Sequence, residues 1–391
     1  MSKVGTVHVV MAMDTEGPID DPHKPEILSS WERVDGLIDR LFSEEFRFAV
    51  TDSYECPAVF SWFVLTLTAF KTNPFKRAMG YHAVFDHYVQ KYGSAMSRFG
   101  DGIYWHYHHP APSGVGNEWS SDWTHGHEYD AILARYVIER KFFPSCFRAG
   151  GRIENNDTSA WLEEIIPFDY SSCSGTVNWD NIESDGKRLH EVCDWSRASI
   201  SWRPYHPSAE DYQKPGSQLR WIFRCPDLDS NVHRLSEADI EQAFIEAHGG
   251  KDVVLAFFEH DRRMVTVDKL SKAIQLIATI ATRHNPVPWR FSNAVEAALG
   301  ATGALTMPAP RFAVSRGFDG GLAIACEDRM HGHAPFVAGR RDRSSEVRRI
   351  APLTVGKQKW RIDVTGFDRI GIAANSPSGS AGVQVVNLDN L

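Results

Sequence analysis

Short apolar runs alternate with amphipathic stretches through the first 300 positions, which is the pattern of β/α units. Val7–Met13 (VHVVMAM) is a compact apolar run that stops abruptly at Asp14-Thr15-Glu16-Gly17-Pro18. A strand apolar on both faces belongs in a parallel sheet covered by helices. Ser30–Phe42 follows with Trp31, Val34, Leu37, Ile38 and Leu41 at helical spacing, and Ser29 or Ser30 can cap it. Tyr81–Tyr92 and Glu128–Lys141 read as further helices, the second with Ile132, Leu133, Tyr136 and Val137 as its inner stripe. Asn156 or Asp157 caps a helix through Ile166, and Ser236–His248 and Val267–His284 are two more. Strands are predicted at Phe46–Val50, Ser61–Leu65, Ile103–His108, Cys146–Ala149, Phe168–Ser171, Leu219–Phe223 and Val253–Phe258.

Units in this number predict an α/β fold, an irregular (β/α) barrel of about seven units spanning residues 1–300. The stretch Gly175–Gly216 is rich in Trp, Pro and Ser without a clear period, and reads as a long excursion beside the site. After Gly300 the pattern changes. Pro308 and Pro310 mark a linker, and short β-like pieces recur at Leu322–Cys326, Phe336–Ala338, Trp360–Val364, Ile370–Ala374 and Val383–Leu388. Residues 301–391 are therefore expected to form a β-rich accessory domain, an antiparallel β-sandwich of about 80 residues. Arg340, Arg341, Arg343, Arg348 and Arg349 within it read as a solvated loop or an interface rim.

Composition narrows the classes of function. With 42% hydrophobic and 24% charged residues the chain is ordinary for a globular protein and too apolar for a disordered one. Its net charge of −8 argues against a general nucleic-acid or anionic-membrane binder. The 12 Trp, 11 Tyr and 22 Phe accompany 17 His, a mixture of aromatic and polar surface that suits sugar-like ligands. No basic-then-apolar leader opens the sequence, and the longest apolar run, around Ala58–Leu67, is far short of a membrane span. Cys56, Cys146, Cys173, Cys193, Cys225 and Cys326 lack C-x-x-C spacing and read as reduced, mostly buried thiols. A cytoplasmic protein with no transmembrane segment is expected, and a homo-oligomer is compatible with the sandwich.

Four places carry candidate chemistry, each where a predicted strand ends. Asp14 and Glu16, two positions apart in extended chain, point the same way, so one can bind a cation while the other keeps basic character. In Trp105-His106-Tyr107-His108-His109-Pro110, His106 and His108 share a face, whereas His109 turns away unless the strand has already ended. Two imidazoles with a carboxylate, and positions left for water, make a catalytic zinc or iron site. His125 and His127 at a helix start are a weaker competitor. Phe147-Arg148-Ala149-Gly150-Gly151 offers an arginine to hold a carboxylate and glycines that admit a ligand. Finally, the apolar strand ending in Glu259-His260-Asp261 delivers an imidazole whose acidic neighbours raise its proton affinity.

Taken in order, these four places resemble the motif series of the polysaccharide deacetylase superfamily, over roughly residues 5–300. That resemblance implies an irregular (β/α) barrel and a metal-dependent hydrolase that removes an acyl group, N-acetyl above all, from a sugar. It matches Asp14 to the family's base, Glu16 to its acidic metal ligand, and His106 with His108 or His109 to its two metal histidines. Arg148 matches the residue that orients the base, and His260 the acid that protonates the leaving amine. With Glu16, His106 and His108 as ligands, one divalent ion is implied, zinc by preference. The departures are specific: one residue separates the two acids, and Pro110 stands four after His106, where the family's second histidine falls. Trp179-Asp180 and Asp194-Trp195 are candidates for the tryptophan motif. For a cytoplasmic enzyme the expected partner is an acylated sugar in a nucleotide- or lipid-linked glycan precursor. The competing readings are a catalytically silent sugar-binding module of the same fold and a metal-dependent hydrolase of a non-sugar amide.

Overall fold

The computed structural model describes residues 4–116, 118–120, 122–124, 126–174, 194–228, 234–317, 320–341 and 345–391. The expected alternation is present: β1 (Val7–Thr15), α1 (Trp31–Phe42), α2 (Glu44–Arg47), β2 (Phe60–Thr66), α3 (Ala83–Phe99), β3 (Gly102–Tyr107) and α4 (Glu128–Arg135). Helix α4 runs on as a π-helical turn, Tyr136–Arg140. Next come β4 (Cys146–Ala149), α5 (Asn156–Glu163), β5 (Phe168–Ser172), β6 (Trp221–Arg224), α6 (Glu237–His248), β7 (Val253–His260), α7 (Thr266–Arg283), β8 (Trp289–Phe291) and α8 (Ala294–Thr302). Among the described residues, no helix is long and apolar enough to cross a membrane.

All pairings in this sheet are parallel, in the order β6-β5-β4-β3-β2-β1-β7. β1 pairs along its length with β7, and its other edge is divided between β8 (Val7–Val9) and β2 (Met11–Thr15). The barrel expected from the sequence is not closed. The sheet curls into a half-barrel: β6 is only four residues long, and Pro226, two residues past its end, has no N–H to continue a ladder. Past the end of β6, Pro226 and Leu228 each make one backbone hydrogen bond to Phe258 of β7, and the Val254 N–H donates to the Trp202 carbonyl.

Strand alternation sorts the core into two layers. Val7, Val9, Met11 and Met13 of β1 face outward to the helices, in one cluster with Val34, Leu37, Ile38, Leu270 and Ile274. Val10 and Ala12 face inward with Phe63, Tyr104, Cys146, Phe168, Tyr170, Phe223, Val254 and Phe258. The small residues Ala294, Ala297 and Ala298 of α8 join the inner layer. Helix α8 is fixed there by Tyr170, whose hydroxyl donates to the Ala294 carbonyl at 2.6 Å, and by Ser61 Oγ, which accepts from the Ala294 N–H at 2.9 Å.

Phe46–Val50 is not a strand. Ser43 accepts from the Phe46 N–H, with Glu44 and Glu45 in the first turn, and this capping turns the segment into α2. The turn delivers Arg47 into the core, where it meets Asp101 through two bonds of 2.8 and 2.7 Å and packs beside the Phe42, Phe60 and Phe99 rings. Within the excursion, residues 175–193, including Trp179-Asp180 and Cys193, lie outside the described residues. Residues 194–216 are irregular, and Trp195 is buried with its Nε1 donating to the Arg152 carbonyl at 2.8 Å. Of the five described cysteines, Cys56 is exposed and the others are buried.

The C-terminal part comprises β9 (Phe312–Arg316), β10 (Leu322–Cys326), β11 (Phe336–Arg341), β12 (Val347–Ile350), β13 (Leu353–Gly356), β14 (Lys359–Ile362), β15 (Phe367–Asn375) and β16 (Ala381–Asn387). They form two antiparallel four-stranded sheets, β13-β14-β10-β9 and β12-β11-β15-β16, which share an apolar core. The second sheet also packs on the half-barrel. Phe336, Ala338, Val347 and Ala373 belong to the same cluster as Tyr136, Val137 and Ile138. Asn375 Nδ2 donates to the carbonyls of Pro144 (2.8 Å) and Ile165 (3.0 Å). Arg349 acts as an interface rim, reaching Asp130 at 3.2 Å and Glu164 at 3.0 Å.

The Arg47–Asp101 pair yields a stability prediction. Asp101 also accepts from the Phe60 N–H at 2.9 Å and from Trp62 Nε1 at 2.8 Å. Removing it leaves a buried guanidinium without its counter-charge, so Asp101→Ala should destabilise the protein by about 3–5 kcal/mol. Urea unfolding checks this; a loss below about 1 kcal/mol would show that the pair is replaceable by water or by a rearranged Arg47.

Candidate functional site

The inner face of the sheet is apolar at depth and polar at the C-terminal ends of its strands. Asp14 and His260 are direct register partners on β1 and β7, and His106 and Arg148 are partners on β3 and β4. Each pair therefore projects toward the same face, and all four side chains are buried. Glu16 follows β1, and its carboxylate reaches the same place.

Arg148 organises the group. Its Nε donates to Asp14 Oδ1 at 2.6 Å and its Nη2 to Oδ2 at 2.9 Å, a bidentate clamp. Nη1 donates to the Tyr170 carbonyl at 3.0 Å, and the guanidinium lies 3.7 Å from the centre of the Phe258 ring. Burial works against the Arg148 charge, but Asp14 more than offsets it and raises the guanidinium above its ordinary value. The Arg148 carbonyl has a second use, accepting from His106 Nδ1 at 2.9 Å. That bond fixes the tautomer and leaves the His106 Nε2 lone pair facing the cluster.

His108 Nε2 lies 3.0 Å from His106 Nε2. Glu16 Oε1 is 4.0 Å from His106 Nε2, and Asp14 Oδ2 is 3.9 Å from it. Among the described residues, Glu16, His106 and His108 form the group whose ligand atoms all fall within 4.8 Å of one another, every one buried. A hard carboxylate and two imidazoles are the donor set that a first-row divalent ion takes. Both imidazoles are in the form a ligand needs. Burial lowers the His106 pKa despite Asp14 and Glu16, and burial together with His106 lowers that of His108 well below its ordinary value. Burial disfavours the Glu16 charge, yet Arg262, Arg77 and the histidines outweigh it and hold the carboxyl far below its usual range. The residues fit a metal ion, with Asp14 left beside it on its own arginine.

His109 is not part of the group. Its Nδ1 pairs with the Tyr107 hydroxyl at 2.9 Å and its ring stacks on Trp123, so it belongs to the outer layer. His127 pairs with the Tyr129 hydroxyl, and His125 lies outside the described residues. Two glycines shape the cluster. Gly17 turns the chain after Glu16 with φ +70°, and a Cβ at Gly150 would fall 2.3 Å from His108 Cγ.

His260 Nε2 is 3.5 Å from Glu16 Oε1, and its Nδ1 is 3.6 Å from Glu259 Oε1. The sequence expectation of an imidazole kept protonated by Glu259 and Asp261 is corrected here. Burial, followed by Arg263 and Arg262, holds His260 well below its ordinary value. Asp261 faces elsewhere, accepting from the Glu16 N–H (3.0 Å), the Gly17 N–H (2.9 Å) and the Tyr88 hydroxyl (2.7 Å). It positions the loop that carries Glu16. Burial pushes its pKa up to about 6 against those donors.

Sequence reasoning missed Arg77 and Arg262, which both meet the Glu16 carboxylate. Arg262 had a signal, since it directly follows His260-Asp261; Arg77 sits in a loop with none. Compared with known proteins, the chain matches no protein-family model and no curated protein.

The geometry separates ligand from clamp. Purified protein should take up about one zinc ion per chain. His106→Ala and Glu16→Gln should lower zinc affinity by at least about tenfold, the scale on which even outer-shell changes act. Asp14→Asn should keep the ion while losing thermal stability, because it leaves Arg148 without its counter-charge. Calorimetric zinc titration reads the affinities and thermal melting the stability, and zinc loss in Asp14→Asn with retention in Glu16→Gln would reverse the two roles.

Proposed function

We propose that the chain is a metal-dependent amide hydrolase that removes an acyl group, N-acetyl by preference, from a sugar. The observation that carries this reading is the convergence of the His106 and His108 Nε2 atoms on Glu16, with Asp14 clamped beside them by Arg148. The order of these residues along the chain, which resembles that of the polysaccharide deacetylases, supports it. What a divalent ion, zinc by preference, supplies in such a site is Lewis acidity toward a carbonyl and toward water.

The remaining work falls to the chain. Asp14 accepts the proton of the attacking water, and the bidentate clamp keeps its oxygens fixed while it does so. His260, on the adjoining strand at the same level, gives the leaving nitrogen its proton, without which an amide does not break at neutral pH. Because His260 rests neutral, the proton it gives is the one that Asp14 takes from the attacking water, passed to the imidazole as negative charge develops beside it and raises its proton affinity. Acylated sugars in nucleotide- or lipid-linked glycan precursors are the proposed substrates.

One observation favours a second reading. Arg77 and Arg262 already neutralise Glu16, as they would in a silent sugar-binding module that had given up its ion.

Turnover distinguishes the two readings. Zinc-loaded protein should release acetate from an N-acetylated sugar, and His260→Ala should slow that release by at least about 10²-fold with metal content unchanged. The loss should be smaller on an activated ester, whose leaving group needs no proton. Equal losses on both substrates would remove His260 from the mechanism, and a protein that takes up no zinc and releases no acetate would favour the silent module.

A further inference from the structure

Arg262 has donors that the site does not use. Its Nη1 stands 3.1 Å from Glu16 Oε1 without hydrogen-bond alignment, and its Nε has no hydrogen-bond partner among the described residues. The side chain is 12% exposed as a whole, but Nε and Nη1 are themselves buried, so these donors face the inside of the cluster. Its backbone is pinned: the Leu28 N–H donates to the Arg262 carbonyl at 2.7 Å, and the Met264 N–H to the Glu26 carbonyl at 3.1 Å. The position is built, while the guanidinium is left partly unsatisfied.

Arg77 flanks the same carboxylate from the other side. It donates to Glu16 Oε2, and its guanidinium lies 5.1 Å from the centre of the Trp119 ring, which meets the His108 ring edge-on at 4.1 Å. Asn73 holds the loop in place, accepting from the Arg77 N–H and donating to the Arg77 carbonyl, each at 2.9 Å.

The charges around the cluster do not call for a neutral ligand. Arg77, Arg148 and Arg262 face Asp14, Glu16 and Asp261, so the fixed charges balance before any cation is present. Behind them Arg263 and Lys269 both approach Glu259, at 3.4 and 3.8 Å. With the buried Asp227 beside Glu259 and Arg148 these charges also balance, so a divalent ion on Glu16 would leave the site positive, and it would compete with Arg262 for Oε1. A positive, largely buried site with unused guanidinium donors is complementary to an oxyanion.

We propose that Arg262, flanked by Arg77, forms an anion subsite beside the metal ligands, and that the sugar substrate carries a carboxylate or phosphate there. The inference rests on the hydrolase reading for the identity of the sugar but not for the subsite itself. Guanidinium donors hold the anionic group bidentately, and Trp119 offers an aromatic wall at the same edge. Arg262 is thus a specificity-determining residue: it selects charged over neutral N-acyl sugars.

Calorimetry on the full-length, zinc-loaded protein tests this with N-acetylglucosamine, N-acetylglucosamine 1-phosphate, N-acetylmuramic acid, and inorganic phosphate alone. At least one anionic sugar should bind roughly 10-fold or more tightly than the neutral one, as expected of charge-assisted hydrogen bonds. The phosphate and carboxylate sugars separate the two sources of charge. The preference should vanish in Arg262→Met and partly return in Arg262→Lys, which also shows that the substituted protein still folds. Equal affinities in the wild type, or a preference unchanged in Arg262→Met, would overturn the subsite. Acetate release from these sugars decides the hydrolase reading separately. If no sugar binds, Arg262-dependent binding of inorganic phosphate still supports the subsite, and its absence overturns it.

Discussion

The ion pair between Asp14 and Arg148 is the constraint on which the rest of the site depends. Backbone pairing leaves the sheet open between β6 and β7, so its mouth lacks the ladder that would hold a closed barrel in shape. Arg148 spans that mouth instead. From β4 it binds a carboxylate on β1 and a carbonyl on β5, and it lies against an aromatic ring on β7. Its own carbonyl sets the tautomer of His106. One side chain thereby fixes the separation of four strands, the orientation of the Asp14 carboxylate and the lone pair of His106. A buried pair of this kind is weak evidence for net stability, because desolvation offsets much of its attraction. Its value lies in geometry.

The same economy governs Glu16. Asp261 holds the Glu16 and Gly17 amides, and Tyr88 holds Asp261, so the loop after β1 is anchored from β7 and from α3. The carboxylate so placed serves two masters, the imidazoles on one side and the guanidiniums on the other. Glu16 is thus the point where the imidazoles that could hold a metal ion and the positive charges of the protein meet.

Much of this was legible in the sequence. Strands apolar on both faces, such as Val7–Met13 and Val253–Phe258, could only lie in a covered parallel sheet, and the polar residues that end them could only collect at one rim. Spacing along β3 put His106 and His108 on one face, and the structure places His109 on the other. Closure was not legible, because it turned on the shortness of β6 and on Pro226 rather than on any periodicity. Phe46–Val50 misled because its aromatic and β-branched residues outweighed the Ser43-Glu44-Glu45 capping signal. Helix α8 was overlooked since its buried face is alanine, as the narrow inner layer requires. Arg77 and Arg262 come from loops, where no period ties a side chain to a direction.

The packing of the second C-terminal sheet on the π-helical turn has a consequence for how the molecule comes apart. Its apolar residues lie in one continuous cluster with those of the half-barrel, and Asn375 satisfies two carbonyls of the barrel that water would otherwise have to reach. The division near residue 300 is thus a change of architecture along the chain rather than a seam between independent bodies. Melting of one part strips the other of apolar cover and leaves buried carbonyls unpaired, so the two are coupled into a single cooperative transition. Unfolding of the accessory sheets, remote in sequence from the polar rim, would thereby take that rim with it.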